Sequence, residues 1–178
     1  MRTFICIELS KEAVNEICRV MDRVKESELM RGKFVEPENL HLTLKFLGEV
    51  DDEKIKLVKE KLKKLKFKKF KVKLGRVGVF SPQFIRILWI DLESEELRKL
   101  QEEIDTLLSD LFEREKRFSN HVTLARVKSV KDKFVFLDFI QKEKVKEIEF
   151  EVKSVKFKKS TLTQEKPIYE DLIEVKLK

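Results

Sequence analysis

The chain holds only two histidines, His41 and His121, which lie 80 residues apart (121 minus 41). Each opens the same short pattern, His41-Leu42-Thr43-Leu44 in one place and His121-Val122-Thr123-Leu124 in the other. In an extended strand the side chains alternate faces, so His41 and Thr43 share one face, as do His121 and Thr123. Leu40, Leu42 and Leu44 take the opposite face and can anchor the first strand in a core. Each copy therefore offers an imidazole beside a hydroxyl. Two imidazoles that titrate near neutrality suit acid-base catalysis, one giving a proton while the other takes one. Two hydroxyls beside them can hydrogen-bond an oxyanion. With no carboxylate cluster and no set of metal ligands, the substrate must need only proton traffic and charge stabilisation. A strained cyclic phosphodiester fits: one His activates water for in-line attack on phosphorus, the other protonates the leaving oxygen, and the Thr hydroxyls hold the nonbridging oxygens. The sequence alone does not order the two histidines.

The elements that must position these pairs repeat along the chain. Arg2 to Leu9 reads as a strand ended by Ser10, a helix N-cap. Ala13, Val14, Ile17, Cys18, Met21 and Val24 then form one apolar stripe at helical spacing. Residues 26–33 read as a polar loop, with Pro37 at the entry to the first His strand. A second helix starts at Asp51-Asp52, with Ile55, Val58, Leu62 and Leu65 inward and a lysine-rich solvated face outward. Phe70, Val72 and Leu74 alternate before the parity shifts to Val77 and Val79, which predicts a β-bulge at Gly75-Arg76. After a turn at Ser81-Pro82 the pattern begins again. Ile90-Asp91-Leu92 stands where Ile7-Glu8-Leu9 stood, and Ser94 caps a helix striped by Leu97, Leu100, Ile104, Leu107, Leu108 and Leu111. The His121 strand follows, with a helix within about Val130 to Ile140. Next comes a strand whose parity shifts between Val152 and Val155, predicting the same bulge a second time, and a final strand spans about Ile168 to Leu177.

These elements predict an α+β fold with a pseudo-two-fold duplication. It is bilobal, with two antiparallel sheets, helices on their outer faces and a central cleft that receives one His-Thr pair from each lobe. The whole chain, 1–178, is expected to be a single domain made of two repeats, about 1–81 and 82–178.

Composition narrows the function classes. No run reaches the roughly 20 apolar residues of a membrane span, and no secretory segment opens the chain, so a cytoplasmic protein is expected, without a membrane partner. Cys6 and Cys18 form no Cys-x-x-Cys pair, so neither zinc nor redox motifs are present, and no metal or cofactor is expected. The charged fraction of 41%, rich in Lys and Glu, is thermophile-like, and the net charge of +7 favours a polyanionic ligand.

The paired His-x-Thr-Leu motifs resemble those of the two-histidine phosphoesterases. Within that superfamily the chain is most similar to the RNA 2′,3′-cyclic phosphodiesterases, also called 2′-5′ RNA ligases. The likeness extends over Arg2 to Ile7, Pro37 to Gly48, Ile87-Leu88-Trp89 and His121 to Arg126. It implies hydrolysis of 2′,3′-cyclic phosphate RNA ends to 2′-phosphomonoesters, with reversible 2′-5′ joining of tRNA halves. It implies His41 as proton donor and His121 as proton acceptor, with Thr43 and Thr123 beside them. RNA is then the expected partner and a monomer the expected state. The alternatives are a phosphodiesterase of small cyclic nucleotides or ADP-ribose cyclic phosphate, and a noncatalytic nucleotide- or RNA-binding module. Relatives commonly carry Pro before the second His and a Trp where Phe34 stands, whereas here Asn120 precedes His121. Two cations are candidate phosphate contacts. Lys45 shares the strand parity of His41, and Arg126 resembles a basic residue of the family, although simple alternation turns it away from His121. Phe34 reads as a core residue, with base stacking as its alternative.

Overall fold

Three of the four helices begin on a side-chain cap. Ser10 accepts from the Ala13 N–H, Asp51 from that of Lys54 and Asp132 from that of Val135. Ser94 stands at the fourth N-cap but turns its hydroxyl to Glu96 instead. The computed structural model describes all residues, Met1–Lys178. In chain order the elements are β1 (Arg2–Glu8), α1 (Lys11–Ser27), β2 (Met30–Phe34), a 3-10 turn (Pro37–Asn39), β3 (His41–Glu49), α2 (Asp52–Leu62) and β4 (Phe70–Val79). They continue with β5 (Ile87–Glu93), α3 (Glu95–Leu107), β6 (His121–Val130), α4 (Lys133–Lys142), β7 (Glu149–Val152), β8 (Ser154–Thr161) and β9 (Ile168–Lys176).

The strands form two antiparallel sheets, ordered β3-β1-β8-β9 and β2-β6-β5-β4-β7. Neither sheet is built from one half of the chain. β8 of the second half lies against β1 of the first, and β4 of the first half lies against β5 of the second. Each half thus gives strands to the other's sheet, and one cluster of 39 buried apolar residues runs through both. The sheets approach each other where β3 meets β6, the two strands that begin with His41 and His121.

Two expectations about strands are corrected. Residues 30–33, the end of the segment read as loop, form with Phe34 the edge strand β2 on β6. Only Met30 of this strand is fully buried, so it has no apolar alternation, and backbone pairing alone defines it. Gly32 permits the close approach, because a Cβ there would collide with the Arg126 carbonyl oxygen. The bulge at Gly75-Arg76 is present, two residues facing the single Asp91 between the Leu74↔Leu92 and Val77↔Ile90 pairs. Its predicted twin is a different device: at Lys153 the chain leaves β7 in one sheet and enters β8 in the other. Both devices reverse side-chain parity, so the sequence pattern is the same.

Candidate active site

A second pair of bulges decides what faces the cleft. On β3, Cys6 stands opposite Thr43 and Ile5 opposite Lys45, leaving Leu44 as the extra residue. On β6, Trp89 stands opposite Thr123 and Leu88 opposite Ala125, leaving Leu124 extra. Before each bulge His and Thr share the cleft face as alternation predicts. Beyond it the parity reverses, so Lys45 and Ala125 join the core side while Phe46 and Arg126 come round to the side of the histidines.

His41 is held by its own strand entry. Its Nδ1 lies 2.6 Å from the Asn39 carbonyl oxygen, which can only accept, so Nδ1 carries the proton. Nε2 is then the bare nitrogen of the neutral ring, 3.0 Å from Thr43 Oγ1. The ring stacks on Phe4 at 5.0 Å and meets the edge of Tyr169 at 5.4 Å. Asn39 is itself pinned, its side-chain amide donating to the Pro167 carbonyl ahead of β9. Burial lowers the His41 pKa below the ordinary imidazole value, aided by the Lys158 charge and opposed by the Asn39 bond and Glu8.

His121 is anchored differently. Its Nε2 lies 2.6 Å from Asp91 Oδ1, and its ring stacks on Trp89 with centroids 3.7 Å apart and planes within 2°. Phe80 covers the pair at 5.1 Å from the imidazole. Burial lowers this pKa as well, against the opposing Asp91 charge. Only two buried side-chain polar atoms in the whole chain lack a hydrogen-bond partner, Trp89 Nε1 and His121 Nδ1, and both belong to this stack.

The two sites differ through their carboxylates. Glu8 stands opposite His41 in the strand register just as Asp91 stands opposite His121. Glu8 is engaged by Lys156 at 2.5 Å and Lys158 at 3.3 Å, whereas Asp91 has only Arg76 at 3.9 Å besides the imidazole.

The family described as LigT-like phosphoesterase matches this chain twice, over residues 7–89 and again over 90–169. The chain belongs to that family. A relative from Methanocaldococcus jannaschii named RNA 2′,3′-cyclic phosphodiesterase is 40% identical over 174 residues, spanning 96% of this chain and 97% of its own. One of the same name from Archaeoglobus fulgidus is 37% identical over 177 residues, spanning 97% and 98%. The crystal structure of TT0787 of Thermus thermophilus shares the fold with a TM-score of 0.82 at 24% identity, covering 99% of this chain and 97% of that one.

Within this LigT-like fold the remaining candidates separate. Lys45 is not in the cleft: it is 3% exposed, with Nζ 2.5 Å from Asp105 on α3 and 2.7 Å from the Glu113 carbonyl. Parity counting assigned it to substrate, and the Leu44 bulge turned it inward. Arg126, by contrast, lies exposed on the cleft side, close enough for its charge to act on the Tyr169 phenol across the cleft. Phe34 faces the α1 side, with the Lys25 ammonium 5.0 Å over its ring. Asn120 bonds Leu92 through both its side-chain amide and its carbonyl, fixing the entry to β6.

The chemistry of Asp91 was missed in the sequence, although the register of Ile7-Glu8-Leu9 on Ile90-Asp91-Leu92 placed an acid in both copies. Whichever ring nitrogen of His121 takes a proton, the product is an imidazolium, which a carboxylate 2.6 Å away favours over the neutral ring. In a reaction where His121 takes the proton, Asp91 would be a positioning residue. Asp91→Asn should lower kcat/KM about ten- to hundredfold, the worth of one hydrogen bond to a charged group. The acid limb of the pH profile should move to lower pH, and Asp91→Glu should restore part of both. An unmoved limb with a lowered melting temperature would reduce Asp91 to a structural role.

Proposed function

We propose that the protein opens 2′,3′-cyclic phosphate ends of RNA to 2′-phosphomonoesters by general acid-base catalysis, acting as a cytoplasmic monomer. Water attacks phosphorus and gives its proton to His121; the bond from phosphorus to the 3′ oxygen breaks, and that oxygen takes a proton from His41. Thr43 and Thr123 hold the nonbridging oxygens. If a 5′-hydroxyl takes the place of water in the same step, it attacks the cyclic phosphate, the 3′ oxygen leaves and a 2′-5′ linkage forms; the reversal of that step cleaves it, the exchange that would join and part tRNA halves. The observation that carries this reading is the pair of His-Thr faces on β3 and β6, each histidine held by a different anchor. The relatives' shared name supplies the substrate class.

With His121 as base and His41 as acid, a nucleoside bound one way round loses the 3′ oxygen, because in-line displacement needs water and leaving oxygen on opposite sides of phosphorus. The 2′-phosphate should be nearly the sole product, and chromatography of the two isomers checks it. A mixture, or mainly 3′-phosphate, overturns the assigned roles. The pH profile of kcat/KM carries a second signature, since it reports the free enzyme. Both imidazole pKa values are lowered by burial, so both limbs of the bell should lie below the ordinary histidine value of about 6.5. The bound phosphate's negative charge favours imidazolium, so the kcat profile should lie to the alkaline side of it. An optimum of kcat/KM above neutrality overturns this assignment.

A further inference from the structure

The sheets that meet at the cleft differ in what their cations do. The lysines of β8 are paired: Lys156 and Lys158 both engage Glu8 and Asp171, and Lys159 reaches Glu170 at 3.3 Å. β2 and β6 contain no carboxylate, and their Arg31, Lys33, Arg126 and Lys128 are exposed and outside every salt bridge. Register places these four together. Lys33 stands opposite Arg126, Arg31 opposite Ser129, and Lys128 is the extra residue of the bulge between them. All four therefore lie on the face that carries His121 and Thr123, beginning at the cleft and running outward to the sheet edge. Protection of an edge strand against pairing would explain cations on β2, but not those on β6, which is an interior strand.

The geometry points to a track for one RNA strand. The cyclic phosphate lies between the histidines, and the preceding nucleotides run along β6 and β2 with their phosphates on Arg126, Lys33, Lys128 and Arg31. This rests on the RNA reading above and names the part of the substrate that a mononucleotide lacks. From His121 to Ser129 the strand rises about 26 Å, room for a few nucleotides. Such cations position the strand without reading its sequence.

The test compares the triple variant Arg31→Ala/Lys33→Ala/Lys128→Ala with wild type on a short single-stranded RNA and on a mononucleotide, each ending in a 2′,3′-cyclic phosphate. With three phosphate-binding cations removed, the logarithmic salt slope of KM for the RNA should fall by about 2, so that the variant forfeits an approximately twentyfold change between 50 and 200 mM salt. Its kcat/KM on the mononucleotide should stay at the wild-type value. A control variant, Lys56→Ala/Lys63→Ala/Lys64→Ala, at exposed positions on α2 and the turn that follows it, removes the same charge and should keep the wild-type slope. An unchanged slope in the first variant, or an equal loss in the control, overturns the track. Fluorescence anisotropy with an RNA ending in a 2′-phosphate measures the same slope without turnover. If wild-type protein cleaves neither substrate, the proposed reaction fails while the anisotropy still decides the track.

Discussion

Replacing either His41 or His121 with alanine should lower kcat/KM on cyclic phosphate ends by about 10²- to 10⁴-fold, the usual contribution of one general acid or base. Folding should survive both changes. His41→Ala loses the stack on Phe4 and the bond to the Asn39 carbonyl, while Leu40, Leu42 and Leu44 keep β3 in the core. His121→Ala loses the stack on Trp89, and the Asp91 left behind is 21% exposed with Arg76 nearby, so water and the guanidinium can solvate it. The residual pH dependence separates the roles. Without the proton donor the alkaline limb should vanish, and without the acceptor the acid limb should vanish. His41→Ala is therefore expected to retain only the acid limb and His121→Ala only the alkaline one. The reverse pattern would exchange the roles, and near-normal turnover in either variant would end the two-histidine mechanism. Loss of the pair should cost little more than loss of one, since the two act in the same step.

The two His-Thr faces were legible because they depend only on alternation within one strand. His41 with Thr43 and His121 with Thr123 stay together wherever those strands go. What the sequence concealed depends on pairing. The bulge at Leu44 leaves an unbroken polar-apolar rhythm in the residues themselves, because Lys45 is polar yet occupies a core-side position, whereas the one at Leu124 shows only as the adjacent apolar pair Leu124-Ala125. Counting past such a point put Lys45 in the cleft and turned Arg126 away from it, the reverse of where each lies. The exchange of β4 and β8 between the sheets was equally hidden: nothing in either strand's pattern names its neighbour, and only long-range hydrogen bonds decide which one each takes. Asp91 belongs to a middle class, visible in the repeated strand but chemically silent until the register sets it opposite His121.

Lys45→Met should destabilise the fold by about 3–5 kcal/mol, the cost of leaving one buried charge without its partner. For a chain of this size that lowers the melting temperature by on the order of 10 °C. The partner is Asp105, 3% exposed, whose oxygens also accept from the Gln101 amide at 2.8 Å and the Glu115 N–H at 3.1 Å. The ammonium meanwhile holds the Glu113 carbonyl, tying β3 to α3 and to the segment that leads into β6. Replacing both charges, as Lys45→Met/Asp105→Leu, should recover part of the loss, because an apolar pair leaves no buried ion. A phosphate ligand would behave otherwise, raising KM with the melting temperature unmoved, and that result would return Lys45 to the cleft. The pH dependence has a definite sign. Burial alone would raise the Asp105 pKa, but Lys45, Gln101 and the Glu115 N–H together hold it below the ordinary carboxylate value. In wild type the stability from this pair is fully present above about pH 4 and is lost as pH falls through the depressed folded value. In Lys45→Met the main opposing charge is gone, burial dominates and the carboxyl pKa rises, so the folded state binds a proton more readily than the unfolded one. Lowering the pH from 7 towards 5 should then raise the variant's melting temperature relative to wild type, by protonating the carboxylate that the missing ammonium left unpaired.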